Sequence, residues 1–230
     1  MSKILNIGVP SKGRIKTQIL DLFKKNKLTL LSERGERDLL GSIKQIKNAK
    51  ILYLHSREII ERLGDSSLDL GFTGFDLLQE SEINTRNKIN VLKKYDFGKA
   101  SLVIAVPDFW LDTQTCADLE EIAFEFKEKK RKKLRVATKY PRLTREFLFS
   151  KGITQFKIVD SKGSTELCPF INSSEIVSDI TSSGETLRAN NLRVLKDGII
   201  LKSEVCMMVS KKSLNKMGLK KIIKIFSKKY

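Results

Sequence analysis

The feature that most constrains the fold is a repeated alternation of short apolar runs with segments of helical apolar spacing. The first run, ILNIGV at 4–9, is followed by the polar turn PSKGR and then by the helical pattern IKTQILDLFKK. Pro141 and Gly152 suit the start and the stop of a later helix. The other strand-length runs are KILYL (50–54), LDLGF (68–72), INVLKKY (89–95), SLVIAV (101–106), LRVAT (134–138), FKIVD (156–160), EIVSDI (175–180) and IILKSEVCMMV (199–209). Repeated strand–helix units predict an α/β fold with mostly parallel sheets.

The size of the chain and its apolar content allow a real core. With 230 residues, of which 40% are hydrophobic, the chain can form one large domain or two small ones. No apolar stretch approaches the roughly 20 residues that a membrane-spanning helix needs. The apolar segment near the N-terminus is too short for a signal peptide and turns polar at once. We therefore expect a cytoplasmic protein.

The cysteine and histidine content argues against a structural metal site. Cys116, Cys168 and Cys206 lie far apart in the sequence, without a C-x-x-C pair, and His55 is the single histidine. Buried, reduced thiols are the expected state, and no metal ligands are assigned.

The net charge of +17 favours anionic partners such as nucleic acid, a membrane surface or a polyphosphate substrate. A lysine-rich surface that only keeps the protein in solution explains it equally well, because the lysines are scattered. The one dense run, KEKKRKK at 127–133, has no interleaved aromatic residues. It therefore indicates a solvated helix end or loop rather than a nucleic-acid site.

The stretch DITSSGETLRANN at 179–191 follows an apolar run and is the first candidate for chemistry. A loop between a strand and a helix exposes backbone N–H groups that can bind phosphate, and glycine lets the backbone approach an oxygen closely. Asp179 can accept hydrogen bonds from a pair of sugar hydroxyls, so the stretch suits a ribose 5-phosphate. An ordinary helix cap and turn remains the alternative. The small and hydroxyl-bearing residues of the loop are Thr181, Ser182, Ser183, Gly184 and Thr186.

A second candidate is PSKGR at 10–14, which ends the first strand and opens a helix. Lys12 and Arg14 would face the crevice beyond the strand ends, where α/β proteins bind ligands. The guanidinium of Arg14 can form paired hydrogen bonds with a phosphate. A solvated turn is the alternative.

A third candidate is LDLGFTGFDLL at 68–78. Gly71 and Gly74 bracket Thr73 at another strand-to-helix junction, where small residues allow a flat ring or a phosphate to lie on the backbone. The glycines could equally serve only turn geometry.

Taken together, these segments resemble the catalytic subunit of ATP phosphoribosyltransferases, the first enzyme of histidine biosynthesis. The matching segments occur in the order of the family and span most of the chain. They are VPSKGR at 9–14, DLGFTGFDLL at 69–78, YDFGKASLVIAVP at 95–107, RVATKYPRLTREFLFSKGI at 135–153, GSTELCPF at 163–170 and DITSSGETLRANNL at 179–192.

The resemblance implies transfer of the phosphoribosyl group of phosphoribosyl pyrophosphate (PRPP) to an adenine ring nitrogen of ATP, with release of pyrophosphate. It implies a need for Mg²⁺, carried by the pyrophosphate and ATP rather than by a dedicated protein site. The implied fold is like that of type II periplasmic binding proteins, with two α/β domains around a cleft. Residues 1–98 plus 182–230 would form domain I on the nucleotide side, and residues 99–181 would form domain II on the phosphoribosyl side.

The resemblance also implies site residues, with Asp179 as the catalytic one. The expected PRPP-binding residues are Asp179, Thr181, Ser182, Ser183, Gly184, Thr186 and Leu187. The expected ATP-binding residues are Lys12, Arg14, Gly71, Thr73, Gly74 and Asp76. Weaker candidates for contacting phosphates are Arg57 and Lys139, followed by Arg34 and Arg37, for which solvated surface charge is the alternative.

Glu185 departs from the family pattern, which often has a small or hydroxyl residue at this place in the loop. A carboxylate beside a phosphate would repel it unless the side chain turns outward, so we expect no binding role for Glu185.

The length resembles that of the short form of the family, which works with a separate regulatory subunit that resembles histidyl-tRNA synthetase. A homo-dimer within a hetero-oligomer is therefore expected. Two alternatives stay open: a small-anion-binding module of the same fold without catalysis, and a nucleic-acid-binding protein, which only the charge suggests.

Overall fold

The computed structural model describes residues 4–31, 39–161 and 163–227, which divide into two compact units. The first unit comprises Met1–Gly98 and Glu204–Tyr230, and the second comprises Lys99–Ser203. Arg34 and Arg37 lie outside the described residues.

The helices and strands alternate along much of the chain. In chain order they are β1 (Leu5–Pro10), α1 (Arg14–Lys25), β2 (Leu30–Leu31), β3 (Leu40–Ile43), β4 (Ile46–Leu54), α2 (Ser56–Gly64), β5 (Leu70–Gly74), α3 (Phe75–Glu80), α4 (Ile83–Arg86), β6 (Ile89–Lys94), β7 (Ala100–Pro107), α5 (Cys116–Lys130), β8 (Leu134–Thr138), α6 (Pro141–Ser150), β9 (Phe156–Asp160), β10 (Ile176–Thr181), α7 (Glu185–Ala189), β11 (Leu192–Ser203), β12 (Val205–Ser210) and α8 (Leu219–Ser227).

The chain leaves the first unit after Gly98 and returns to it after Ser203. The expected return near residue 182 is therefore corrected by about 20 residues. The physical reason is β11, which runs antiparallel to β7 from Leu192 to Ser203 and so keeps the chain in the second unit.

Within its described residues, the first unit contains a seven-stranded sheet in the order β2-β3-β4-β1-β5-β12-β6. Strand β1 is parallel to both β4 and β5, whereas β12 is antiparallel to β5 and β6. The sheet is thus mixed, and not mostly parallel as the sequence predicted. The reason is that β3 and β4 form a hairpin, and that β12 enters the sheet after the excursion through the second unit. The carboxyl ends of β1, β4 and β5 lie at one edge, which brings together the turns that follow these strands.

The core of the first unit lies between this sheet and the helices α1 and α8. Phe23 of α1 and Phe226 of α8 meet edge to face, with ring centroids 4.7 Å apart, and Phe72 of β5 lies 5.1 Å from Phe226. All three side chains are buried. Helix α8 buries one apolar face and exposes lysines on the other, as an amphipathic surface helix does.

The described part of the second unit contains a five-stranded sheet in the order β11-β7-β10-β8-β9. The three strands β10, β8 and β9 are parallel, and β7 is antiparallel to β10. Apolar residues of these strands pack against α5 and α6, through Leu119 and Leu148 among others. Because the carboxyl ends of β8, β9 and β10 meet at one edge, the segments after Thr138, Asp160 and Thr181 are neighbours there.

The basic run at 127–133 forms the end of α5 and the turn after it, and every residue in it is exposed. Lys129 pairs with Glu125 at 3.0 Å, and Lys130 lies 3.8 Å from the centre of the Phe126 ring. The run is therefore a solvated helix end, as predicted. The three cysteines are buried and unpaired, also as predicted. No helix in residues 4–31, 39–161 or 163–227 combines the length and apolar character needed to cross a membrane.

Candidate functional site

A pocket of about 310 Å³ lies in the second unit, at the carboxyl end of the central strand β10. Six of the seven residues predicted to bind PRPP line it; the seventh, Gly184, shapes the loop without lining the pocket. The lining residues are Glu166, Asp179, Ile180, Thr181, Ser182, Ser183, Thr186 and Leu187.

Asp179 forms a half-buried wall of this pocket. Its Oδ1 accepts a hydrogen bond of 2.8 Å from the backbone N–H of Ile180. Burial raises the pKa of Asp179 above its usual value, and this effect exceeds the opposing effects of the Ile180 N–H and the charge of Lys139. The negative charge of Glu166 raises the pKa further. The carboxyl group therefore sits where ionisation is costly, which is typical of functional sites.

The loop after β10 turns back on itself through a left-handed residue. Gly184 has φ 76° and directly precedes α7, and its N–H donates to the hydroxyl of Thr181 over 2.9 Å. The N–H of Glu185 lies 3.4 Å from the hydroxyl of Ser183. Within the described chain, the N–H groups of Ser182 and Ser183 donate to no acceptor. The residues that line the pocket thus include two whose amides have no acceptor in the described chain, together with several hydroxyls.

Glu166 is a pocket residue that the sequence-based assignment missed. It lies in a short 3₁₀ turn, Thr165–Leu167, within the motif GSTELCPF, to which no role had been given. The hydroxyl of the buried Thr165 donates to the hydroxyl of Ser161 over 3.0 Å and so fixes this turn. A family motif without a role was the only signal in the sequence, because nothing local shows that a 3₁₀ turn directs this carboxylate at Asp179.

Behind the pocket lies a chain of buried hydroxyls that fixes the end of β8. Ser178 and Thr144 are 2.7 Å apart, and Thr144 is 3.3 Å from Thr138. The Thr138 hydroxyl also accepts from the N–H of Tyr140 over 2.9 Å. These bonds hold the turn that carries Lys139, which is exposed and whose charge acts on Asp179.

In the first unit, the turn after β1 exposes both cations predicted there. Gly13 has φ 84° and ψ 175°, a conformation essentially restricted to glycine, and α1 starts at the next residue. Lys12 and Arg14 on either side of it are exposed. The N–H of Ser11 donates to the carbonyl of Leu54 over 2.8 Å, which ties this turn to the end of β4.

Arg57 follows β4 at the same edge of the sheet and is exposed in the first turn of α2. The backbone N–H of Arg57 donates weakly, over 3.4 Å, to Nδ1 of His55, which caps α2. Arg57 also lines a groove of about 440 Å³ along α2, α3 and α4, together with Glu61, Glu80 and Glu82 among others.

The residues predicted from the third candidate segment differ in their placement. Gly71 is buried within β5, and a Cβ there would lie 2.6 Å from Cγ2 of Ile59. This glycine lets α2 pack closely on the sheet, and its assignment to ATP binding stays a prediction. Thr73 is also fully buried, and its hydroxyl donates to the carbonyl of Ser56 over 3.2 Å. Its side chain thus joins β5 to the start of α2.

Gly74 and Asp76 are linked to each other. A Cβ on Gly74 would collide with the carboxylate of Asp76, so the glycine lets Asp76 fold back over the end of β5. The Asp76 side chain is buried, and its charge contributes to raising the pKa of Cys206, after the larger effect of burial. Across the described residues, no group of three or more His, Cys, Asp or Glu side chains is arranged to hold a metal ion.

Comparison with known proteins agrees with the resemblance seen in the motifs. A family model described as ATP phosphoribosyltransferase matches residues 55–228. The ATP phosphoribosyltransferase of Nitrobacter winogradskyi is 40% identical over 213 residues, which are 93% of this chain and 66% of that protein. The enzyme of the same name from Mesorhizobium japonicum is 39% identical over 211 residues, which are 91% of each chain.

Solved structures show the same fold at lower identity. A chain of the ATP phosphoribosyl transferase (HisG:HisZ) complex from Thermotoga maritima aligns with a TM-score of 0.75 and 23% identity, over 97% of this chain and 96% of that chain. The arginine-bound ArgBP of T. maritima aligns with a TM-score of 0.52 and 13% identity, over 97% and 92% of the two chains. The fold is thus shared with binding proteins, as predicted. From the family match and the identity to relatives over most of its length, we conclude that the chain belongs to the ATP phosphoribosyltransferase family.

Proposed function

We propose that this chain transfers the phosphoribosyl group of PRPP to an adenine ring nitrogen of ATP and releases pyrophosphate, as the first step of histidine biosynthesis. The observation that carries the proposal is one pocket that combines Asp179 with a hydroxyl-rich loop. Membership of the family favours this reaction over non-catalytic anion binding and over nucleic-acid binding.

In the proposed binding mode, the 5-phosphate of PRPP lies against the loop after β10. Helix α7 has only five residues, so its dipole contributes little, and the ligand is held by individual donors. These donors are the N–H groups of Ser182 and Ser183 and the hydroxyls of Thr181, Ser182, Ser183 and Thr186. Gly184 and Leu187 shape the loop.

Asp179 and Glu166 would accept hydrogen bonds from the two ribose hydroxyls, since both carboxylates line the pocket. Two carboxylates near the sugar would also stabilise the positive charge that develops on the ribose as pyrophosphate leaves. This is the sense in which we assign Asp179 a catalytic role.

The reaction needs alignment and charge stabilisation rather than a strong base. The lone pair of the adenine nitrogen forms the new bond to the anomeric carbon, while the bond from that carbon to the pyrophosphate oxygen breaks and its electrons leave with pyrophosphate. We assign Lys12 and Arg14 to phosphates of ATP, with Gly74 and Asp76 in the neighbouring turn, and Arg57 and Lys139 as weaker candidates. Thr73 would support this turn through its bond to Ser56.

Mg²⁺ enters the proposal with the substrates, bound to the phosphates of PRPP and ATP. When bound there, it neutralises part of the charge of the leaving pyrophosphate. No protein residue is proposed as a ligand of the Mg²⁺ ion.

We also propose a regulatory partner that resembles histidyl-tRNA synthetase, with a homo-dimer of this chain inside a hetero-oligomer. The support is that the T. maritima relative of the same fold is a HisG:HisZ complex. A cytoplasmic location belongs to the same proposal, because three unpaired cysteines are usual in a reducing compartment.

The test measures product absorbance with ATP, PRPP, Mg²⁺ and the regulatory partner. Asp179→Ala should lower kcat/KM by about a hundredfold or more, because it removes both the ribose contact and the stabilising charge. Asp112→Ala removes an exposed carboxylate of the same unit outside the pocket and is the control. Normal turnover by Asp179→Ala would show that the ribose is placed wrongly.

A further inference from the structure

Arg188 reaches back from α7 to the loop after β10, although it does not line the pocket. Its Nη2 donates to the backbone carbonyl of Ser183 over 3.0 Å. Its Nη1 lies so close to Gly184 that a Cβ there would be 2.8 Å away. The guanidinium therefore packs on the backbone at the tip of the loop.

This contact and a hydrogen bond to Thr181 hold the peptide group between Ser183 and Gly184 at both of its polar ends. The peptide between Ser183 and Gly184 is planar, so its carbonyl and its N–H point in opposite directions. Arg188 holds the carbonyl, and the Thr181 hydroxyl accepts from the N–H over 2.9 Å. Because both ends of the group are occupied, the peptide cannot flip without breaking two hydrogen bonds.

The orientation of this peptide matters for an anion in the pocket. A carbonyl oxygen turned toward a phosphate would repel it, whereas one bonded to a guanidinium is held and partly neutralised. Within the described part of the chain, Arg188 forms no ion pair with a carboxylate. Its positive charge therefore stays beside the loop.

We infer that Arg188 is a positioning residue for the phosphoribosyl site: it braces the Ser183–Gly184 peptide so that the loop presents donors, and no carbonyl, to the phosphate. The inference rests on the proposed function, because it takes the phosphate of PRPP as the ligand of the loop. A planar guanidinium can donate to the carbonyl and pack flat on Gly184 at once, which an ammonium group cannot do.

The experiment uses the full chain and the variants Arg188→Gln and Arg188→Lys. Binding of PRPP and of ribose 5-phosphate is measured by calorimetry, and kcat and both KM values are measured with the regulatory partner. Lys157→Gln is the matched control, because it removes one exposed positive charge from the far end of β9.

For Arg188→Gln we expect weaker ribose 5-phosphate binding and a rise in the KM for PRPP, each of about tenfold, with kcat and the KM for ATP changed less than about threefold. Arg188→Lys should recover less than half of this loss, because charge without the planar group does not brace the peptide. Lys157→Gln should behave like the wild type.

Three outcomes would overturn the inference alone: unchanged PRPP affinity in Arg188→Gln, an equal rise of both KM values, or full recovery in Arg188→Lys. Wild-type chain that binds neither PRPP nor ribose 5-phosphate in the presence of the regulatory partner would refute the proposed function and this inference together. If Arg188→Gln did not fold by circular dichroism, Arg188→Lys would decide, since a wild-type affinity for PRPP in that variant contradicts bracing.

Discussion

At the scale of single residues, Asp179 lowers the stability of the fold when it is ionised, which is the form that we assign to function. Burial raises the pKa of this carboxyl, and the charge of Glu166 adds to the effect. A group with a raised pKa in the folded state contributes stability when protonated, and this contribution is lost as the pH rises through that pKa. The ionised form that we assign to ribose binding is therefore the form that the fold disfavours.

Asp179→Asn should accordingly raise the Tm at pH 7 while it abolishes turnover, because a neutral amide avoids the cost of a buried charge. The gain should shrink as the pH falls through the pKa of Asp179, where the wild-type carboxyl becomes neutral as well. Thermal unfolding between pH 3 and pH 8 measures both, with Asp112→Asn as an exposed control. A Tm that falls at pH 7 would contradict this account of Asp179.

At the scale of the elements, the apolar runs fixed by local sequence were predicted well. The runs at 134–138 and 156–160 coincide with β8 and β9. The single run at 199–209 instead belongs to two strands: β11 ends at Ser203, and β12 begins at Val205. The division falls where the chain changes units, at the polar residues Lys202, Ser203 and Glu204, which the prediction had included in one run.

The candidate site, like the strands, was predicted from the sequence only where the signal is local. The loop at 179–187 carries a local signal, because hydroxyls and a glycine follow a strand. Glu166 and Arg188 were missed because their roles depend on where a 3₁₀ turn and a short helix direct their side chains. For Gly71, the sequence did not indicate that the glycine also lets a helix pack closely on the strand, because only the contact with Ile59 in the fold shows this.

Helix α8 offers a test at this scale, since Phe226 lies between Phe23 and Phe72 in the core of the first unit. Phe226→Ala should lower the unfolding free energy of that unit by about 3–5 kcal/mol, because it leaves a cavity among aromatic rings. Lys224→Ala, on the exposed face of α8, should change it by less than about 0.5 kcal/mol. Urea unfolding followed by fluorescence and circular dichroism measures both variants, and equal effects would contradict the packing of α8.

At the scale of the whole molecule, the two units have separate cores. The buried clusters of the first unit share no residue with those of the second. The second unit is one continuous segment, whereas the sheet of the first unit needs β12 between β5 and β6. We therefore expect only the second unit to fold when it is separated from the rest of the chain.

Expressed alone, residues 99–203 should fold cooperatively, because every strand of their sheet is present. Residues 1–98 alone should not reach a cooperative fold, since they lack β12 and α8 and leave the Phe23 and Phe72 rings uncovered. Far-ultraviolet circular dichroism during thermal unfolding distinguishes the two fragments. A sharp transition in 1–98, or none in 99–203, would count against this division of the chain.

The position of β12 between β5 and β6 also determines when the sheet of the first unit can be completed during synthesis. On the ribosome, the second unit can be complete while the sheet that began first still has a gap between two of its strands. Until the last residues emerge, that gap leaves two strand edges open to pairing with other chains. A chaperone that covers these edges would therefore act from the synthesis of β6 until the segment Glu204–Tyr230 has emerged.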